Sequence, residues 1–270
     1  MMSRCGRAGA TKERRGLSES FSYMALCYTT DMKKLVFLDT ETTGINENDY
    51  LCQLAYKTGE EIHCELYKPP VKISVEASSV THISNKMVED KPSFKESPDY
   101  EKIKEMLQDK ETIMVAHNAK FDLGMIKKEG IVPHAHICTL RVARYLDKEH
   151  KIPQHKLQFL RYYLEIEIEA AAHDALGDVL VLEKLFERLV TAIKKETSNG
   201  TDEEAYTKMI EISNTPSLMY SFSFGKYSGK TVAEVLSIDR GYLEWFLKSK
   251  KENNPEDEDW IYTLEYHLKK

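Results

Sequence analysis

Lys34-Leu35-Val36-Phe37-Leu38-Asp39-Thr40-Glu41-Thr42-Thr43-Gly44 is a short apolar run that stops abruptly at carboxylates. That pattern predicts a buried strand whose C-terminal end delivers polar side chains. Asp39 and Glu41 stand at i and i+2, so on a strand end they share one face and can point into one pocket. A D-x-E pair is commonplace and usually solvated, but two clustered carboxylates at a strand end are also the donors that a hard cation takes. Thr42-Thr43-Gly44 sharpens the second reading, because a glycine-terminated turn lets a substrate backbone come close.

Working outward, Leu51 to Tyr56 and Glu61 to Tyr67 are strand-like runs flanking the turn Lys57-Thr58-Gly59-Glu60, so the first three strands are expected to form an antiparallel meander. Ser97-Pro98 caps a helix with Ile103, Met106 and Leu107 on its apolar face, and Thr112 to Ala116 is the next strand. Asn118 to Glu129 reads as a helix stopped by Gly130, and His136-Ile137-Cys138 as a fifth short strand before another helix. From Asp174 to about Lys195, Leu176, Val179, Leu182, Leu185, Phe186 and Leu189 make a long amphipathic helix. The predicted order is β-β-β-α-β-α-β-α-α, an α/β chain with one mixed sheet.

Composition narrows the class. The 270 residues are 41% apolar and 30% charged, with 8 Pro and 12 Gly, which suits a medium α/β domain plus a small appendage and excludes fibrous or disordered chains. The net charge of −6 provides no global basic field for nucleic acid, although a site that works through divalent cations must itself concentrate carboxylates. Cys5, Cys27, Cys52, Cys64 and Cys138 are odd in number and lack C-x-x-C pairing, so reduced thiols are expected. No apolar run approaches the length that spans a bilayer, so no membrane partner and a cytoplasmic location are expected. Residues 1–31 read as a disordered extension. Arg4, Arg7, Lys12, Arg14 and Arg15 are compatible with a mitochondrial transit peptide, but Glu13, Glu19 and Asp31 dilute that character.

Two further blocks carry chemistry. In His117-Asn118-Ala119-Lys120-Phe121-Asp122 a strand passes into a helix, and Asp122 supplies a third carboxylate. Taken singly it would only salt-bridge a neighbour, and Phe121 would be core. In His173-Asp174-Ala175-Leu176-Gly177-Asp178, Asp174 is a natural N-cap, His173 sits just outside the helix, and Asp178 lies one turn in. An imidazole in that position can accept a proton near neutral pH.

Taken together, D-x-E, H-N-x-x-F-D and H-x-A-x-x-D in this order resemble the DEDDh branch of the DnaQ-like 3′→5′ exonucleases over residues 32–195. The resemblance implies an RNase H-like mixed five-stranded sheet flanked by helices. It also implies two Mg²⁺ or Mn²⁺ ions held by Asp39, Glu41, Asp122 and Asp178, with His173 as general base. Thr42, Glu76, Asn118 and Phe121 match positions that hold the terminal nucleotide. One departure stands at Thr81, where the family has His. His82 follows one residue later, about 100° of arc away on a helix start, so surface exposure competes with nucleotide contact.

Residues 196–214 read as a linker with a connecting helix. Residues 215–270 read as a small α+β domain that resembles the C-terminal domain of exonuclease X-like proteins. Phe222 to Thr231 is expected to form a short hairpin, either packing as simple core or stacking on nucleic acid, and Glu256 to Asp259 a solvated acidic run. The resemblance favours a stand-alone enzyme acting on single-stranded or frayed DNA 3′ ends. Its rivals are the proofreading epsilon subunit, with a DNA polymerase as partner, an RNA 3′-end trimmer, and a non-catalytic binding module.

Overall fold

The structure, a computed structural model, describes residues 33–168 and 175–269. The N-terminal extension 1–31, with Cys5 and Cys27, lies outside the described residues, as do His173 and Asp174.

Five strands form one mixed sheet: β1 (Lys34–Thr42), β2 (Leu51–Thr58), β3 (Glu61–Leu66), β4 (Thr112–Ala116) and β5 (Ala135–Cys138). Their order is β3-β2-β1-β4-β5. The meander is antiparallel, while β4 and β5 run parallel to β1. Between β3 and β4 lie α1 (Val75–Thr81), α2 (Asn85–Val88) and α3 (Tyr100–Gln108). The first two, and α6 (Leu157–Tyr163) after β5, are additions to the predicted order. Then come α4 (Lys120–Lys128), α5 (Thr139–Leu146), α6, α7 (Ala175–Lys194) and α8 (Asp202–Ser213).

Strand alternation divides the core into two layers. Val36 and Leu38 of β1 pack on one face with Met114, Ile103, Leu107 and Ile126, beneath α3 and α4. Phe37 points the other way and joins Ile113, Val115 and Ile137 beneath α5 and α7. There the rings of Phe37 and Phe186 meet edge to face at 5.3 Å, and Lys57 of β2 pairs with Glu183 of α7. The helix carrying Asp178 is therefore seated directly on the central strands. The β1–β4 ladder ends at Phe37 opposite Val115, whereas β1 runs on to Thr42. Asp39 and Glu41 thus emerge at the C-terminal end of the parallel strands, where open α/β sheets form crevices.

Two expectations about the chain's second half change. The connecting helix expected within 196–214 is present as α8, but it is not a free connector, since its Ala205 and Met209 are fully buried in the same core as α7 and β5. The predicted hairpin is reduced to a single antiparallel bridge, Ser221 to Thr231, around a 3₁₀ turn at Gly225–Tyr227. The rest of the C-terminal region is α9 (Val232–Ile238), α10 (Arg240–Asn253) and α11 (Glu258–Leu268). Its core is aromatic: Phe222 stacks on Trp260 at 4.7 Å and is enclosed by Phe246, Val232, Val235 and Leu264. Among the described residues no helix is long and apolar enough to cross a membrane. Cys52 and Cys138 are buried free thiols and Cys64 a half-buried one.

Candidate active site

Because side chains alternate along β1, Asp39 and Glu41 share the face of Phe37, toward α7, while Thr40 faces α4. Asp39 and Glu41 are half-buried. Thr40 is buried, and its hydroxyl donates to Asp122 Oδ1 at 2.7 Å. Asp122, only 3% exposed, lies in the first turn of α4. Burial pushes its carboxyl up to about 7, opposed by the hydrogen bond from Thr40. Asp39 is held well above the usual carboxylate range by burial and then by the charges of Asp122, Glu41 and Asp178. The charges of Glu41, Asp122 and Asp178, from β1, α4 and α7, thus all act on Asp39.

Asp178 is half-buried in the first turn of α7, and the side-chain amide of Gln158, from α6, donates to its Oδ1. Sequence reading missed both Gln158 and Thr40. Alternation along β1 was the available signal for Thr40, whereas Gln158 belongs to no motif. No group of three or more His, Cys, Asp or Glu side chains among the described residues draws together closely enough to hold a metal ion as it stands. Like charges facing each other in low dielectric do not close up, and Asp122 and Asp178 are each turned onto a neutral donor.

The remaining predicted residues lie on β1, on α1 and where the chain enters α4. Thr42 is buried, with its hydroxyl given to the Gly44 carbonyl at 2.5 Å, so any nucleotide contact there falls to its backbone. The role read for Gly44 changes. A Cβ at this position would come 2.5 Å from Asp49 Oδ2, and that carboxylate accepts from Thr43 Oγ1 and the Asn46 amide, both at 2.7 Å. Gly44 thus makes room for a side-chain-bonded turn. Glu76 is exposed in the first turn of α1. The Ser74 amide donates to the Thr43 carbonyl at 3.2 Å, tying the start of that helix to the end of β1. His82 ends α1 as an exposed C-cap with φ 59°, so it stands at a helix end, not a helix start.

Asn118 is exposed with φ 64°, a left-handed turn that delays α4 until Lys120, and Phe121 is half-buried beside it. His117 is spent on structure. Its Nε2 donates to the His155 carbonyl at 2.8 Å, and its Nδ1 accepts from Thr139 Oγ1 at 2.9 Å. Burial drives the imidazole down to about 4, keeping it neutral.

The acidic run is not simply solvated: Glu256 is exposed, but Glu258 and Asp259 pair with distant cations. Asp259 binds Arg144 at 2.7 Å and Arg141 at 3.2 Å, and Glu258 binds Lys120 at 2.6 Å. Those partners lie more than a hundred residues away in the chain.

Comparison with known proteins agrees with this architecture. The Exonuclease family profile matches residues 36–186, and the Exodeoxyribonuclease X-like C-terminal profile matches residues 222–251. Exodeoxyribonuclease 10 of Escherichia coli (strain K12) is 30% identical over 227 residues, 82% of this chain and 94% of that protein. A PolC-type DNA polymerase III of Staphylococcus haemolyticus is 31% identical over 179 residues, 61% of this chain but only 12% of the polymerase. Among solved structures, exonuclease X in complex with 5′ overhanging duplex DNA superposes with a TM-score of 0.52 at 24% identity, covering 67% of this chain and 99% of that one. That likeness shows the fold, a mixed sheet of the RNase H-like kind. Since the nuclease profile covers more than half of the sequence and the relatedness to Exodeoxyribonuclease 10 runs through both regions, this chain belongs to the exonuclease family, in the form that carries an exodeoxyribonuclease X-like C-terminal region.

Proposed function

We propose that this protein is a 3′→5′ exonuclease that hydrolyses phosphodiester bonds at single-stranded or frayed DNA 3′ ends and releases nucleoside 5′-monophosphates. The observation that carries the reading is that a chain of the exonuclease family sets Asp39 and Glu41 at the end of β1 and Asp122 and Asp178 in the first turns of α4 and α7, near enough that, after burial, the other three charges raise the Asp39 carboxyl. Hard oxygen donors brought together against their own repulsion fit divalent cations of the magnesium type. Asp39, Glu41, Asp122 and Asp178 would hold two Mg²⁺ or Mn²⁺ ions. When bound, such ions supply Lewis-acid stabilisation of the charge that develops on phosphoryl and leaving oxygens.

The chain's own residues do the rest. Thr40 and Gln158 orient Asp122 and Asp178. His173, assigned from the H-x-A-x-x-D block alone, would take the proton of the attacking water. Thr42, Glu76, Asn118 and Phe121 would hold the terminal nucleotide. His173→Ala is expected to lower kcat about 100- to 10,000-fold while leaving Mn²⁺ affinity unchanged, and near-wild-type turnover would reject the role. The name of the E. coli relative favours DNA over RNA, and residues 215–270 are proposed as a separate small domain following α8.

The test is release of mononucleotides from matched 5′-labelled DNA and RNA oligonucleotides in Mg²⁺. Stepwise shortening of DNA from its 3′ end is expected. Preference for RNA would reverse the substrate assignment, and binding without cleavage at saturating Mn²⁺ would leave only a binding module.

A further inference from the structure

The contact between the acidic run and the sheet domain has a graded construction. Asp259 is its anchor. This carboxylate is 18% exposed, takes the guanidinium groups of Arg141 and Arg144, and accepts the Ser217 amide at 2.9 Å. One residue earlier the character changes. Glu258 and Lys120 are 42% and 51% exposed, and Lys120 reaches across to Glu258 Oε1 and to the Glu256 carbonyl. Glu258 also stands 3.6 Å from Arg141. Between these groups lies a cleft of about 380 Å³ lined by Asn118, Lys120, His136, Arg141, Asn214 and Glu256.

The place matters more than the pairing. Lys120 opens α4 two residues after Asn118, and Asn118, one of the residues read as holding the terminal nucleotide, lines the cleft, although none of the four carboxylates does. Its cations face a run of four acidic residues, Glu256-Asp257-Glu258-Asp259. A carboxylate and a phosphodiester oxygen take the same ammonium and guanidinium donors. An exposed ion pair contributes little and is readily exchanged for another anion.

We infer that Lys120 and Arg141 form a phosphate-binding step for the nucleic-acid strand behind its reactive 3′ end, and that Glu258 covers this step and competes with the strand for it. This rests on the exonuclease reading for the identity of the ligand. Asp259 keeps the C-terminal region seated while Glu258 yields. Binding of a strand then exchanges one anion for another at Lys120 instead of neutralising a bare cation, which softens the salt dependence of binding.

The full chain is titrated into a 5′-fluorescein-labelled 12-nucleotide single-stranded DNA, with Ca²⁺ replacing Mg²⁺, at several NaCl concentrations, and anisotropy is read. Glu258→Gln is expected to bind about threefold to fivefold tighter at low salt, with log K falling more steeply against log salt by about 0.7. Lys120→Gln should weaken binding, and adding Glu258→Gln to it should give a smaller gain than it gives in wild type, because only Arg141 is then uncovered. Equal affinity of wild type and Glu258→Gln, or an undiminished gain on the Lys120→Gln background, would overturn the inference. Thermal melts and hydrolysis of thymidine 5′-monophosphate p-nitrophenyl ester check that Glu258→Gln is folded. Because that ester reaches only the terminal-nucleotide site, its rate is expected to match wild type. Tighter strand binding by Glu258→Gln with no hydrolysis by any variant would sink the exonuclease reading and leave the cover standing. Hydrolysis with unchanged strand affinity would do the reverse.

Discussion

Thr40 stands between the two carboxylates of β1 and serves a third. Its hydroxyl is the side-chain donor to a carboxylate that is almost fully enclosed. Thr40→Val keeps the shape but leaves Asp122 Oδ1 without that partner, a loss of about 1–3 kcal/mol of stability. Urea denaturation should show the loss, and Thr40→Ser should restore most of it. The Mg²⁺ concentration needed for half-maximal hydrolysis should rise in the valine variant, and an unchanged requirement would mean that Thr40 does not orient Asp122. His117 makes a pH prediction. Its folded value of about 4 lies below the ordinary 6.5, so the unfolded chain binds more protons between those values. Its contribution to stability is therefore present above pH 6.5 and lost as pH falls toward 4, by an amount on the order of 3 kcal/mol. The raised carboxyls of Asp39 and Asp122 act in the opposite direction. The difference between wild-type and His117→Gln urea curves at pH 7, 5.5 and 4.5 isolates the imidazole. Parallel curves would contradict its burial in the neutral form.

At the scale of elements, the turn leaving β1 shows how a correct position can carry an incomplete reason. Gly44 is required, but the space it leaves is filled by Asp49. Gly44→Ala must push the Asp49 carboxylate off both Thr43 and Asn46, and a cost of about 1–3 kcal/mol is expected from such overpacking. Thermal denaturation that left the alanine variant as stable as wild type would show that the turn can relax. The strands and α7 were legible because each is a periodic apolar pattern with punctuation at its ends. The D-x-E, H-N-x-x-F-D and H-x-A-x-x-D blocks were legible because the chemistry fixes residue types at short spacing. Less was readable elsewhere. α8 was legible as a connecting helix, but its burial was not, because its buried stripe is carried by Ala205 and Met209 on a polar, acidic-capped segment. The hairpin reading at Phe222 to Thr231 took alternating aromatics for strand pairing. Those rings are gathered instead around Trp260 by helices, through contacts no local period encodes.

At the scale of the whole molecule, the candidate site is a product of topology. Among the described strands β1 is the one with both kinds of neighbour, antiparallel β2 and parallel β4, and it overruns the parallel ladder. Its alternating side chains then address helices on both faces of the sheet, α7 through Asp39 and Glu41 and α4 through Thr40. The charge of Asp178 reaches Asp39 for that reason, across a sequence separation that only the ordered motif blocks had bridged. The acidic run at the start of α11 holds contacts that its local sequence does not show, since the cationic partners of Glu258 and Asp259 come from α4 and α5. The central claim is that the carboxylates of β1, α4 and α7 form one cation site. Calorimetric titration of Mn²⁺ into wild type and into folded Asp178→Asn tests it most directly. Affinity should fall by more than about tenfold in the variant, whereas identical Mn²⁺ isotherms for the two proteins would contradict it.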